Sequence, residues 1–496
     1  MKIFFPKFHI QLGFWGGLFF FLIVFFIPTG SEFTIPARNM LAVTMLMAIW
    51  WMSEALPLGV TALLPLVCYP ILGIMRTSIV SGNYTNHLVF LFLGGFIIAS
   101  AIQKWQLHRR FALFTISLLG ANTRKIVLAF MLSSAMLSMW ISNTATALMM
   151  LPIAFSVIQH FREDNIIKQD YQNKFAIVLL LGIAYASSIG GMATLIGTPP
   201  NIIFSGIYEK YFPELPSFSF IRWLFYILPL SVILFSIIWL YLAFVILYQK
   251  VATETHSIQY FKQKYKDLGS LNKSQKKVLI VFLMTAFLWM FRTEINLGAF
   301  TIPGWPALLG LQDMIQDSTI AIGMAILLYI IPSNDMGKRS SLLELRNLLE
   351  IPWDILLLFG GGFALADGIQ KTGLASFLGQ QLQFTGELPL WIMLFTFALS
   401  IALFTEITSN TAVATTFLPI TAGLAINLNM NPLVIMLPVT IASSCAFMLP
   451  VATPPNAIVF GTRLIPIKEM VKIGAVLNVL VALIISFYFY QLFHGF

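Results

Sequence analysis

The chain has 496 residues, 58% of them hydrophobic and only 10% charged. Soluble domains carry about 25% charged residues, so this composition excludes an ordinary soluble enzyme and points to a chain that crosses a membrane many times. The net charge of +9 fits lysines and arginines gathered on the cytoplasmic side better than it fits nucleic acid, and two cysteines in apolar runs, Cys68 and Cys445, support no disulfide framework and no cysteine metal site.

About 20 apolar residues make a spanning helix. Lys2 and Lys7 precede an apolar run from Ile10 to Pro28 that lacks a small-residue cleavage site, so it reads as a retained first helix rather than a signal peptide. Helices are expected near 10–29, 38–54, 58–75 and 86–103, then a basic turn from Lys104 to Arg110. Apolar arms at 126–141 and 145–160 flank Ser142-Asn143-Thr144. The stretch 174–208 reads as interrupted at Gly190-Gly191 and at Gly197-Thr198-Pro199-Pro200, because Pro-Pro cannot continue a helix. A helix over 219–247 precedes the one clear polar linker, 248–277, with its seven lysines. Helices follow near 278–293, 306–332 and 352–371, and arms at 388–408 and 412–428 flank Ser409-Asn410-Thr411. The segment 432–462 is broken at Pro450 and Ala452-Thr453-Pro454-Pro455, and a last helix covers 465–493. Trp50-Trp51 and Trp223 fit interfacial belts, and His108, His160 and His256 fall in expected loops.

The chain repeats itself. Ser142–Ile153 (SNTATALMMLPI) and Ser409–Ile420 (SNTAVATTFLPI) agree at 8 of 12 positions, at an offset of 267 residues. Phe92, Gly94, Gly95, Phe96, Ile102, Gln103, Lys104 and Leu107 match Phe359, Gly361, Gly362, Phe363, Ile369, Gln370, Lys371 and Leu374 at the same offset. Thr198-Pro199-Pro200-Asn201 matches Thr453-Pro454-Pro455-Asn456 at an offset of 255. Two motifs in one register and a third in the same order, twelve residues closer in the second copy, mark a duplication.

A 16-residue arm reaches about 24 Å, short of the ~30 Å hydrocarbon core. Each arm could still be a spanning helix, or each pair a re-entrant hairpin with its SNT at the tip, where protein or water must cover the irregular backbone; the charge count favours the hairpin. With eleven crossing helices and a cytoplasmic N-terminus, segments 1–9, 104–125, 160–174, 248–277, 334–350 and 462–472 share one side and hold 23 of the 29 Lys and Arg residues. That bias is what the positive-inside rule demands, and it leaves the C-terminus outside. An odd number of crossings between the copies makes the repeat inverted, a form common in secondary transporters with a midplane site between broken helices.

The polar residues at the breaks carry the chemistry. Ser, Thr and Asn oxygens with free carbonyls suit a hard cation such as Na⁺. Free N–H groups at a positive helix end suit a carboxylate. Two such half-sites suit a ligand with two acidic ends, or an anion flanked by two cations. Glu54, Asp354, Asp367 and Glu406 lie in or beside helices and are functional candidates by position. Glu406, with Met139 at the corresponding place in the first copy, reads first as a structural hydrogen-bonding group and second as a ligand. Glu54 reads as a helix-end group, and Arg109 and Arg110 as interface anchors. No catalytic base–nucleophile pair and no zinc, haem or nucleotide motif is present, so an enzyme is not expected.

These motifs carry a resemblance. The two SNT stretches, Gly197–Asn201, Ala452–Ile458, Trp50–Pro57 and Leu357–Gly362 together resemble the divalent-anion/sodium symporter family of sodium-coupled di- and tricarboxylate transporters, from about residue 38 to the end. The resemblance implies an all-α polytopic fold of eleven transmembrane helices and two re-entrant hairpins. It further implies a homodimer with scaffold and transport domains moving as an elevator. The segments are 1–85 (N-terminal scaffold), 86–247 (first repeat), 248–277 (basic linker), 278–351 (scaffold) and 352–496 (second repeat). One sodium is expected near Ser138, Ser142, Asn143 and the Gly197 carbonyl, the other near Thr405, Ser409, Asn410 and the Ala452 carbonyl. Substrate carboxylates are expected at Ser142, Asn143, Thr144, Ser409, Asn410 and Thr411, with Thr198, Pro199, Thr453 and Pro454 beside them. Some relatives have Ser where this chain has Thr198. The implied activity is Na⁺-coupled import of C4-dicarboxylates such as succinate, malate or fumarate across a bacterial inner membrane. A sodium-independent exchanger, or a carrier of citrate, sulfate or another divalent anion, is the alternative.

Overall fold

The apolar runs fold as helices, each ended by the residues that cannot continue it. In the computed structural model, which describes residues 6–31, 33–119, 122–163, 169–248, 256–296, 301–333 and 340–494, the fold is predominantly helical. Ile35–Ser53 shows how local chemistry sets the ends. The Thr34 hydroxyl accepts from Ala37 N (3.4 Å), Pro36 sits in the first turn where no N–H is missed, and Glu54 closes the helix in the left-handed region (φ 49°). Among the described residues, six helices are long and apolar enough to cross a bilayer: Ile35–Ser53, Thr77–Lys104, Gln169–Ala193, Phe220–Ile246, Leu390–Ile407 and Ile467–Phe493. Shorter apolar helices include Ile10–Phe25, Leu58–Ile71, Asp317–Ile330 and Leu433–Ala442.

Several details differ from the sequence expectation. The fold is not wholly α: Ile295–Asn296 pairs antiparallel with Thr301–Ile302, where β-branched residues favour a pleated pair. Gly190-Gly191 does not interrupt its helix, which runs unbroken over Gln169–Ala193. The basic turn shrinks to Trp105-Gln106, and His108, Arg109 and Arg110 begin the helix Leu107–Leu119. The polar linker contains the helix His256–Asp267, and Lys273 already opens the next one behind an Asn272–Gln275 capping box. His108, His160 and His256 are thus helical rather than in loops. The tryptophans are not belt residues: Trp51 and Trp223 are fully buried, and their indoles donate to Leu58 O (3.2 Å) and Met192 O (2.9 Å). Of the basic residues counted above, Lys2, Lys168, Lys250, Lys338 and Arg339 lie outside the described residues.

The helix ends sort into two groups. In one, Lys104 donates to Asn347 (3.3 Å), Arg110 to Leu268 O (2.7 Å), Arg124 to Tyr248 O (2.9 Å), Gln275 to Trp105 O (3.0 Å) and Lys277 to Pro332 O (2.7 Å). These are the segments expected on the basic side. In the other group, Lys210 pairs with Asp367 (3.0 Å), which Lys371 (3.3 Å) and Asn83 (3.2 Å) also reach. There too His87 meets Glu209 (3.1 Å), and Arg292 pairs with Asp317. Asp367 is thereby occupied as the hub of a buried ion pair.

The first SNT lies between Thr123–Ser138 and Asn143–Glu163. Thr123–Ser138 runs alongside Gln169–Ala193. Thr123 meets the Tyr171 hydroxyl (2.6 Å) at one end, Met131 packs on Gly182, and Thr194 donates to Met139 O at the other end. The arm stops where its neighbour breaks. The second SNT lies between Leu390–Ile407 and Asn410–Asn427, beside the broken pair Leu433–Ala442 and Pro454–Phe460.

Candidate functional site

Four helix starts meet at one place. Ser142 and Ser409 precede the helices from Asn143 and Asn410, and their carbonyls accept from Thr146 N and Val413 N (both 3.0 Å). Thr198 and Thr453 precede Pro199 and Pro454 with nearly identical extended backbones (φ −144° and −140°). The prolines at the first two positions of each of these helices carry no N–H. Both TPPN starts therefore offer fewer free donors than a broken helix was expected to present, and the threonine hydroxyls are the polar groups left there.

The breaks are held open by side chains. Asn201 Nδ2 donates to Thr194 O (2.7 Å) and Gly191 O (3.1 Å), and Asn456 Nδ2 donates to Leu449 O (3.2 Å) and Ala446 O (3.0 Å). These partners correspond at the repeat offset of 255, so the clamp is duplicated with the motif. Behind each SNT a buried hydroxyl meets the asparagine amide. Ser138 Oγ is 2.6 Å from Asn143 Oδ1, and Thr405 Oγ1 is 2.6 Å from Asn410 Oδ1. Thr405 Oγ1 also lies 2.8 Å from Ser443 O. One hydroxyl proton cannot fully serve two acceptors, so oxygens outnumber protons there, as a hard cation requires.

A cavity of ≈ 1420 Å³ joins the half-sites. Ser142, Asn143, Thr144, Gly197, Thr198 and Pro199 line it from the first copy. Ser409, Asn410, Thr411, Ala452, Thr453 and Pro454 line it from the second. Ser138 and Thr405 do not; they are fully buried behind the asparagines. The facing wall comes from the first two helices, including Gly13, Gly16, Phe20 and Met52. Among the described residues, the only charged side chain lining the cavity is Glu54.

One role was not legible in advance, and another was legible in kind but not in its partners. Gly190-Gly191 permits close approach: a Cβ on Gly190 would lie 2.1 Å from Ala135 O, and one on Gly191 2.4 Å from Asn143 Oδ1. Gly191→Ala is thus expected to push the Asn143 amide out of place and cut uptake about 100-fold at unchanged membrane abundance. Uptake normalised to immunodetected protein measures this, and wild-type rates would refute the packing role. Glu406, 3% exposed, accepts from Phe447 N (2.6 Å), Met448 N (2.8 Å), Leu449 N (2.8 Å) and Asn478 Nδ2 (2.6 Å). Its carboxylate caps the second break, as the structural reading expects. The spacing to Ser409 flagged the residue, but its partners lie about 40 to 70 residues away in sequence.

The sodium:sulfate symporter transmembrane region matches residues 13–493. A Staphylococcus saprophyticus protein named sodium-dependent dicarboxylate transporter SdcS is 40% identical over 454 residues, covering 90% of this chain and 85% of that one. A Staphylococcus aureus protein of the same name is 40% identical over 478 residues, covering 96% and 89%. The fold is similar to the crystal structure of the Alcanivorax borkumensis YdaH transporter, with a TM-score of 0.53 at 12% identity over 84% of this chain and 88% of that one. With its duplicated half-sites around one cavity, the chain belongs to the sodium:sulfate symporter family, the divalent-anion/sodium symporters, and is a membrane transporter rather than an enzyme.

Proposed function

We propose that this chain is a secondary transporter that uses Na⁺ to import C4-dicarboxylates such as succinate, malate and fumarate. The observation that carries the reading is the charge of the cavity. Among the described residues it offers no lysine, arginine or histidine, and its one charged side chain, Glu54, is an acid. A dianion transferred into such a site is prohibitive unless charge arrives with it. Helix N-termini at Asn143 and Asn410 supply part. Co-bound sodium supplies the rest: two Na⁺ neutralise a dianion, and a third makes the load positive, so that the membrane potential drives it inward.

In this reading one Na⁺ sits among Ser138, Ser142, Asn143 and the Gly197 carbonyl, and the other among Thr405, Ser409, Asn410 and the Ala452 carbonyl. The carboxylates meet the SNT side chains, with Thr198 and Thr453 beside them. The SNT pairs are re-entrant hairpins, supported by the first arm stopping level with the break at Thr194. The copies are inverted, with the N-terminus cytoplasmic and the C-terminus outside, which the sorted helix ends support. Residues 86–247 and 352–496 contribute the moving half-sites against a scaffold from 1–85 and 278–351, in a homodimer working as an elevator in the inner membrane.

Proteoliposomes test this directly. Labelled succinate uptake should rise at least about tenfold with an inward Na⁺ gradient. Citrate and sulfate should compete weakly. Equal uptake without Na⁺, driven by internal dicarboxylate, would instead establish the exchanger.

A further inference from the structure

Two further cavities, each ≈ 360 Å³, flank the start of the helix Leu107–Leu119. One is walled by Ala112, Leu113, Met149 and Ile153, the other by Phe111, Phe114, Trp140 and Phe282. They share His108 and Leu137, so they meet at the first turn of that helix. The polar rim is basic: Arg109 and Lys264 line the first cavity and Arg110 the second, and among the described residues no acid lines either. Arg110 also binds the carbonyls of Leu268 and Ser270, which fixes the helix His256–Asp267 beside the saddle. Burial lowers the His108 pKa below the usual histidine value, and its Nδ1 faces Ile102 O (3.4 Å), so the positive charge comes from the arginines and the lysine.

The location narrows the occupant. Both cavities belong to the basic group of helix ends, where anionic headgroups of an inner leaflet lie. Phe114 and Met136, on the wall of the second cavity, are 44% and 41% exposed, so that cavity opens sideways toward the bilayer. Each volume falls within the range of ordinary small-molecule sites. One basic saddle between two apolar chambers has the form of one headgroup with two chains.

We propose that this saddle binds one anionic diacyl phospholipid, its phosphate on Arg109 and Lys264 and one chain in each cavity. The second chain lies against Trp140, whose side chain also lines the large cavity. Trp140 stands two residues before Ser142, so lipid occupancy acts on the first half-site through one indole ring.

The test counts lipid, not transport, so it stands apart from the identity of the anion. The purified full chain in detergent is offered phosphatidylglycerol or phosphatidylcholine, and retained lipid is counted by native mass spectrometry. Wild type should retain phosphatidylglycerol about tenfold more strongly, and the Arg109→Gln, Lys264→Gln double variant should lose that preference. Ala112→Phe, which fills one chamber without altering charge, should weaken retention of both lipids. Inorganic phosphate at the same concentration should leave the lipid in place. Equal retention of the two lipids by the wild type, an undiminished preference in the double variant, or displacement by phosphate alone would overturn the proposal. A double variant that fails to fold leaves the wild-type selectivity and Ala112→Phe to decide.

Discussion

Asn143→Ala and Asn410→Ala should each reduce sodium-driven uptake by about 100-fold or more while the protein remains in the membrane. Each amide lines the cavity and also meets a buried hydroxyl, Ser138 or Thr405, at 2.6 Å. Truncation removes a cavity-facing polar group. In Asn143→Ala it also strands the buried Ser138 hydroxyl, at a cost of about 1–3 kcal/mol, whereas in Asn410→Ala the Thr405 hydroxyl keeps Ser443 O. That cost is small against total stability, so function should fail before folding does. Aspartate substitutions sharpen the test. A carboxylate in place of the amide keeps an oxygen for Na⁺ but adds negative charge beside the substrate. Asn143→Asp and Asn410→Asp should therefore retain sodium binding, read as Na⁺-dependent protection against thermal unfolding, and lose succinate uptake. Full uptake by both alanine variants would remove the asparagines from the site.

Glu406→Ala should act in the opposite order, on folding first. Three backbone N–H groups, of Phe447, Met448 and Leu449, converge on one carboxylate that is 3% exposed. Removing it leaves them unpartnered in the interior, at about 1–3 kcal/mol each. We expect the melting temperature in detergent to fall by about 10 °C, with uptake lost because the second break collapses. Glu406→Gln retains one acceptor oxygen but turns an NH₂ group toward backbone donors, so it should lie between wild type and alanine. An alanine variant that melts with the wild type would show that the carboxylate does not hold the break.

The site was more legible than its support. SNT and TPPN stood out because polar residues and helix-breaking prolines are costly in apolar sequence, and because both occur twice in the same order. All of the cavity-facing candidates did come to line one space. What the sequence hid depends on partners distant along the chain. A Gly-Gly pair reads locally as a break, yet Gly190-Gly191 is helical, and its missing side chains make room for Ala135 and the Asn143 amide. Trp51 and Trp223 match an interfacial composition, yet both rings are buried and each indole donates to a backbone carbonyl. The TPPN asparagines were visible as part of a motif, but their work as clamps on the preceding carbonyls needs the fold of the loop. The small ribbon at Ile295–Asn296 and Thr301–Ile302 is too short for any periodicity to mark.

A duplication begins with two equal halves, and the ties between hairpin and break record how far these two have since parted. At Met139 and Thr194 the first half uses a side-chain hydroxyl and a backbone carbonyl. At the equivalent Glu406 and Leu449 the second half uses a side-chain acid and a backbone amide, so the break still donates and the hairpin still accepts, but side chain and backbone have changed places. A gene built from two copies of the first half would put a methionine where the second break needs its acid. Each half has become heir to a different part of one ancestral joint, and neither can stand in for its sibling.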